Sequence, residues 1–308
     1  MIQIDKLTKR YGKVVALNQV SFEVEKGTVF GFVGPNGAGK STTMSILATL
    51  LAPSSGKAFV GGYDVTKYPK EVRKLIGYMP DFFGVYDNLK TYEYLNFYGA
   101  TYGISNDERK KIIPQLLELV NLSHKIDQNV DTLSRGMKQR LGLARCLVHD
   151  PQVLILDEPA SGLDPRARIE MREILKELSN MGKTIIISSH ILPELAELSD
   201  VIGVIEDGEM IAIGNVDEIS RRMKGQKQLK IRLTDKWDEV ATLLKEIPNI
   251  TSVDREGETV LAGFSGNEDE QISLLKQLVN SNFPIIGFSE TEGNLEEIFL
   301  EITKGAGS

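Results

Sequence analysis

Thr28-Val29-Phe30-Gly31-Phe32-Val33 runs straight into Gly34-Pro35-Asn36-Gly37-Ala38-Gly39-Lys40-Ser41-Thr42, and the reading of that junction decides the fold. The short apolar run predicts a buried strand, and the stretch from Lys40 to Leu51 predicts a helix. The glycines between them let backbone N–H groups converge on phosphate, toward which the positive end of the helix also points. Lys40 adds a mobile charge for the outer phosphates. Ser41 offers a hydroxyl to Mg²⁺, and Thr42 is placed to contact the phosphates nearer a base. Chance matches to the pattern occur, but a strand before it and a helix after it are the context a phosphate loop requires.

Outward from this junction, β-rich runs alternate with amphipathic helices from Met1 to about Arg221, the pattern of an α/β domain. Val153-Leu154-Ile155-Leu156 and Thr184-Ile185-Ile186-Ile187 read as buried parallel strands, and Val14 to Val24 as an antiparallel contribution. The first of these strands delivers Asp157 and Glu158 to its C-terminal tip, where α/β sheets bind ligands. There Asp157 suits Mg²⁺ and Glu158 suits a water attacking a γ-phosphate; the plain alternative is two acids capping a strand end. His190 follows the second strand through Ser188-Ser189 and can reach a γ-phosphate, whereas His124 and His149 have no such setting.

Between the two halves, roughly Asp81 to Leu147, the pattern turns helical, with helices expected over Asp107 to Val120 and Gly136 to Leu147. Phe82, Phe83, Tyr86, Tyr92, Tyr94, Phe97, Tyr98 and Tyr102 crowd its front end, either as core or as a groove for another protein. Leu133-Ser134-Arg135-Gly136-Met137-Lys138-Gln139-Arg140 sets a second Ser/Gly turn at a helix start. If one triphosphate fills the first turn, the second needs phosphate from another subunit.

The chain has 308 residues, more than one core comfortably supports, and two domains are expected. The polar, basic run near Arg221 to Gln228 sets the boundaries at 1–221, a linker at 222–228, and 229–308. Beyond it a βαββαβ series is predicted: Leu229 to Leu233, helix Lys236 to Glu246, Ile250 to Arg255, Glu258 to Phe264, helix Asp269 to Asn280, and Pro284 to Phe288. That order fits a small α+β, ferredoxin-like domain, and a last helix is expected over Asn294 to Ile302. A net charge of −7 and a pI near 5.3 argue against a nucleic-acid coat. The single cysteine, Cys146, fits a reducing compartment and a buried helical position. Neither a signal peptide nor an apolar run of about 18 residues is read, so any membrane role is expected through a partner.

In this order the pieces resemble the nucleotide-binding subunit of an ATP-binding cassette (ABC) transporter, over about Met1 to Arg221. In the resemblance 34–42 is the P-loop, Leu133 to Met137 the signature, and Asp157-Glu158 the second Walker motif. Ser161-Gly162-Leu163-Asp164 becomes the D-loop and His190 the switch histidine, while Tyr11, ahead of a glycine, takes the place of the aromatic that stacks on adenine. The resemblance implies a RecA-like α/β core with an antiparallel β subdomain and a helical subdomain. It implies ATP and Mg²⁺ as cofactors, with Lys40, Glu158 and His190 catalytic, and Ser41, Asp157 and Asp81 toward the metal. Nucleotide contacts are implied at Tyr11, Gly34, Pro35, Asn36, Gly37, Ala38, Gly39, Lys40, Ser41 and Thr42, and across a subunit boundary at Ser134, Gly136 and Asp164. The implied assembly is a head-to-tail homodimer on a polytopic membrane permease, peripheral to the cytoplasmic face of the cell membrane. Gly293-Asn294-Leu295-Glu296-Glu297-Ile298-Phe299-Leu300 resembles the tail of ATPases serving ABC-2-type exporters, whose permease is a separate chain.

Two motifs depart from the family pattern. Asp81, after Tyr78-Met79-Pro80, stands where glutamine is usual; it keeps an oxygen but is shorter, anionic and without an amide donor. The usual Gly-Gly-Gln of the signature is Arg135-Gly136-Met137, and a cation at Arg135 either helps hold phosphate or points outward. A soluble ABC ATPase of ribosomes or DNA is the rival reading, but the chain has neither paired cassettes nor a long coiled-coil insertion. A free-standing P-loop kinase or GTPase would need neither the Ser134 turn nor Asp164 and His190.

Overall fold

The computed structural model of the chain describes residues 1–82, 84, 88–215, 218 and 227–291. Residues 222–226 of the expected 222–228 linker, the last helix from Asn294 to Ile302, the tail motif at 293–300, and Phe83 and Tyr86 of the aromatic segment lie outside the described residues, while 227 and 228 begin a strand rather than end the linker. The chain divides into two compact units, Met1–Val216 and Asp217–Ser308.

The first unit is built on two sheets. Strands β1 (Ile2–Tyr11), β2 (Val14–Val24), β4 (Ser55–Val60) and β5 (Tyr63–Asp64) form an antiparallel sheet in the order β2-β1-β4-β5. The second sheet joins β3 (Val29–Val33), β6 (Ile76–Met79), β7 (Val153–Leu156), β8 (Thr184–Ser189), β9 (Val201–Glu206) and β10 (Glu209–Gly214), ordered β10-β9-β3-β8-β7-β6. All its pairs are parallel except β10 with β9. Every residue of β3 and β7 is buried, as expected of strands covered on both faces.

Helix α1 (Lys40–Leu47) buries Thr43, Met44, Ile46 and Leu47 in a core shared with both sheets, alongside Ile4, Phe22, Phe32, Val153 and Ile186. Phe22 stacks on Phe30 at a centroid distance of 4.8 Å. Each such buried side chain contributes about 1.5–3 kcal/mol. The helix stops four residues before the expected Leu51, because Thr49 turns left-handed at φ +62° and the amides of Leu50 and Leu51 both return to the Ser45 carbonyl. Strand β8 instead runs past the expected Ile187 through two serines, both buried.

Helix α2 (Pro69–Leu75) leads into β6, and α3 (Thr91–Thr101), α4 (Asn106–Leu119) and α5 (Arg135–Leu147) make the helical stretch. Its aromatics divide. Tyr94 is fully buried, whereas Phe82, Phe97 and Tyr102 are exposed. Tyr102 stacks on His149 at 3.8 Å, and Cys146 is buried as expected. Helices α6 (Pro165–Asn180) and α7 (Leu192–Ala196) complete the unit.

The second unit orders its strands β11 (Lys227–Leu233), β12 (Ile250–Glu256), β13 (Thr259–Phe264) and β14 (Ile285–Thr291) as β12-β13-β11-β14, all antiparallel. With α8 (Trp237–Lys245) and α9 (Glu268–Asn280) placed between strands, this is the ferredoxin-like arrangement. Val240 and Leu244 of α8 and Leu274 and Leu278 of α9 pack on Leu229, Ile231, Val260 and Phe264. Asn267 and Glu270 close a reciprocal capping box at the start of α9.

Candidate nucleotide site

Strands β3, β8 and β7 are neighbours and parallel, so their C-terminal ends bring three segments of sequence together: the glycine loop, His190 and the Asp157-Glu158 pair. Gly37 and Gly39 of the loop take φ values of +89° and +108°, which L side chains rarely adopt. At Gly34 a Cβ would lie 2.2 Å from the Ile205 carbonyl oxygen, so the loop is seated on the end of β9. The Gly208 amide donates to the Ala38 carbonyl at 3.1 Å, which ties the loop to the β9–β10 turn as well. Amides in the first turn of α1 lack partners within their helix and are the donors such a loop offers to phosphate.

Lys40 is buried, and its Nζ donates to the carbonyls of Gly34 at 2.6 Å and Pro35 at 3.1 Å. Burial pulls its pKa below that of an ordinary lysine, against the opposing pull of the Glu158 and Asp157 carboxylates and, more weakly, Asp81. Nζ stands 3.7 Å from Glu158 Oε1, an ion pair without a hydrogen bond. The other oxygen of Glu158 meets His190 Nδ1 at 2.9 Å. Oε1 is buried and has no hydrogen-bond partner, an acceptor left over at the centre of the cluster. Glu158 itself sits at φ +50°, a left-handed backbone unusual for a residue with a side chain.

Asp157 is 3% exposed and accepts a 2.6 Å hydrogen bond from Ser188 Oγ. Sequence reasoning missed Ser188; the signal was a pair of hydroxyl residues continuing an apolar buried strand. Ser41 is exposed at the start of α1, and Asp81 is exposed two residues beyond β6. Ser41 hydroxyl and Asp157 carboxylate are hard oxygen donors. They fit Mg²⁺, which typically takes one or two protein ligands and completes its shell with phosphate and water.

Other expected residues lie elsewhere. Tyr11 ends β1 half-exposed, with Lys9 Nζ 5.1 Å from its ring centre. Ser134 caps α5, accepting from the Met137 amide at 3.3 Å, and Asp164 caps α6, accepting from the Ala167 amide at 2.9 Å. A Cβ on Gly136 would come within 2.9 Å of the Ala167 Cβ, so the second Ser/Gly turn packs on the start of α6. Arg135 resolves neither way the sequence left open: its Nη2 donates to the Ser161 carbonyl at 3.1 Å, and its guanidinium occupies the space beside Gly162.

The ABC transporter family model matches residues 17–161, and the model for the C-terminal domain of DrrA1-3-like ATP-binding proteins matches 214–303. The linearmycin resistance ATP-binding protein LnrL of Bacillus subtilis is 34% identical, covering 98% of both chains. The bacitracin transport ATP-binding protein BcrA of Bacillus licheniformis is also 34% identical, over 99% of this chain and 98% of its own. The chain belongs to the ABC transporter ATP-binding subunits.

The Nod factor export ATP-binding protein I of Rhizobium meliloti is 36% identical over 98% of this ABC subunit and 88% of its own length. Among solved structures, an ATP-binding subunit of an ABC transporter is 30% identical with a TM-score of 0.66, covering 72% of this chain and 92% of that one. The dimeric bacterial cassette MJ0796 aligns at 26% identity and a TM-score of 0.64, over 70% and 99% respectively. As a member of this family the chain is an ATPase that powers transport. Among the described residues no helix is long and apolar enough to cross a membrane.

Proposed function

We propose that this ABC subunit hydrolyses Mg²⁺-ATP to drive an exporter whose membrane-spanning permease is a separate chain, and that it works as a head-to-tail homodimer at the cytoplasmic face of the membrane. The observation that carries the catalytic reading is the meeting of Lys40, Glu158 and His190 at the ends of three adjacent strands. Relatives named for resistance, transport and export match along almost the whole chain, including the second unit, and support the exporter reading. That second unit, Asp217–Ser308, is proposed as an accessory or regulatory domain, and the first as the ATP-binding domain.

Phosphate enters the glycine loop by replacing two neutral acceptors of Lys40, the Gly34 and Pro35 carbonyls, with anionic oxygens. Charge-assisted hydrogen bonds are the stronger kind, and Lys40 gains by the exchange. Glu158 is the general base. Oε2 is fixed by His190, and the unpartnered Oε1 is the atom that accepts a proton from the attacking water. An ionised Glu158 only accepts, so Nδ1 of His190 carries the proton of their bond. Nε2 is the ring nitrogen left to meet a γ-phosphate. Ser41 and Asp157 would hold Mg²⁺, which would supply charge neutralisation for phosphate when bound. Asp81 is a further candidate contact for the metal. Tyr11 stacks on adenine. Ser134, Gly136 and Asp164 complete the nucleotide site of the partner copy.

Glu158→Gln is expected to lower ATP turnover about 10²- to 10⁴-fold while ATP binding persists, the usual cost of losing a general base. Turnover is read by phosphate release and binding by a fluorescent nucleotide. Wild-type turnover in this variant removes Glu158 from the role.

A further inference from the structure

We propose that Ser188 is a positioning residue for hydrolysis, acting through Glu158 by holding its backbone in the left-handed conformation that aims the carboxylate. Two hydrogen bonds meet at its hydroxyl. Oγ donates to Asp157 Oδ1 at 2.6 Å and accepts from the Glu158 amide at 2.9 Å. Ser188 is 1% exposed, so water does not compete for either bond.

The direction of this chain of bonds is forced. The Glu158 amide only donates, so the hydroxyl oxygen accepts from it and its single proton points to Asp157. The oxygen lone pairs are then turned to the Glu158 amide. The two carboxylate residues depend on this hydroxyl to different extents. The Asp157 amide is already bonded to the Met79 carbonyl at 2.8 Å, continuing the pairing of β6 with β7. Glu158 lies one residue beyond that ladder at φ +50°, and its amide goes to the serine hydroxyl. Downstream, the Glu158 carbonyl accepts from the Ser161 amide at 3.0 Å, which closes a tight turn. Removing the hydroxyl frees the upstream end of that turn. The backbone then relaxes toward the ordinary right-handed or extended regions, and the carboxylate swings away from His190 and from the loop.

A displacement of about 1 Å at a reacting group costs on the order of 10²-fold in rate. Ser188→Ala in the full chain is therefore expected to lower kcat about 10- to 100-fold, with the affinity for a fluorescent ATP analogue changed less than about threefold. Ser188→Thr keeps the hydroxyl and is expected to recover most of the rate. The proposal rests on Glu158 being the base, and a double variant separates the two. In a Glu158→Gln background, adding Ser188→Ala should alter the residual rate by less than about twofold, because the group it positions is gone. A residual rate cut as deeply as in the parent overturns the proposal, since Ser188 would then act independently of Glu158. Wild-type kcat in Ser188→Ala overturns it as well. If Glu158→Gln alone hydrolyses at the wild-type rate, the base assignment fails instead.

Discussion

Replacing Arg135 with alanine tests which partner the signature cation serves. Among the described residues its Nη2 donates to the Ser161 carbonyl at 3.1 Å, on the surface and within the same chain. An exposed hydrogen bond from a cation to a neutral carbonyl contributes about 0.5–1 kcal/mol once water competes. Losing it should loosen the D-loop and raise the ATP concentration for half-maximal dimerisation about two- to fivefold. If the guanidinium instead held a partner's phosphate, truncation would remove a desolvated charge pair and cost about 2 kcal/mol or more, a shift of about 30-fold or more. The assay is sedimentation velocity against ATP, with Glu158→Gln in both proteins so that nucleotide persists. A shift of 30-fold or more at an unchanged Tm refutes the D-loop assignment and returns Arg135 to the phosphate.

Two further outcomes follow from contacts around the loop and beneath α3. Gly34→Ala must push a Cβ into the Ile205 carbonyl oxygen at 2.2 Å, whereas a Cβ at Gly37 meets open space and only the left-handed backbone resists it. Overpacking of about 1–3 kcal/mol predicts a Tm loss of roughly 3–10 °C for Gly34→Ala by calorimetry, against a smaller loss for Gly37→Ala; equal losses would show that the close approach to β9 is not limiting. Burial lowers the pKa of His149, which lies under Tyr102 with its Nε2 2.9 Å from the Ile76 carbonyl and is influenced by Asp150 and Lys183. The folded chain thus favours the neutral ring while the unfolded chain takes up a proton near pH ~6.5. Stability is full above that pH and is lost as the pH falls toward the folded value. Thermal melts of His149→Gln should fall less steeply between pH 7 and 5.5 than those of the wild type; parallel curves would remove His149 as the cause.

Much of the fold was legible because its signals are local. From Val29 to Val33 and from Val153 to Leu156 no residue carries a polar side chain, as suits fully covered strands, and the observed β3 and β7 differ from the expected runs by one residue at most. The βαββαβ order beyond Lys227 appeared for the same reason, each strand and helix being bounded by its own turn signals. Helix α1 was overextended because its end is set by Thr49 at φ +62°, a backbone choice that no periodicity encodes. Within the site, the residue types that carry charge were legible, and the contacts that orient them were not. In the sequence Ser188 is only a step between a buried strand and His190, and Arg135 is either a phosphate ligand or an outward-pointing cation. Both assignments depend on partners more than twenty residues away in sequence, Asp157 and Ser161 respectively.

Those long-range contacts also separate the two phosphate turns physically. The glycine loop is fixed by β9 and by the Gly208 amide, next to the strand ends that carry Glu158 and His190. The Ser134 turn is fixed by α6, through Gly136 on Ala167 and Arg135 on the D-loop that leads into that helix. Its serine hydroxyl accepts within α5. The Ser134 turn is therefore anchored to the segment around Ser161 and Ala167 rather than to the glycine loop of its own chain. Within the chain, the Glu158 carbonyl accepts from the Ser161 amide and the Ser161 carbonyl accepts from Arg135, so consecutive hydrogen bonds join Glu158 to the Ser134 turn. That link spans only three residues from Glu158 to Ser161, so a displacement of the proposed base is expected to reach Arg135 and the Ser134 turn.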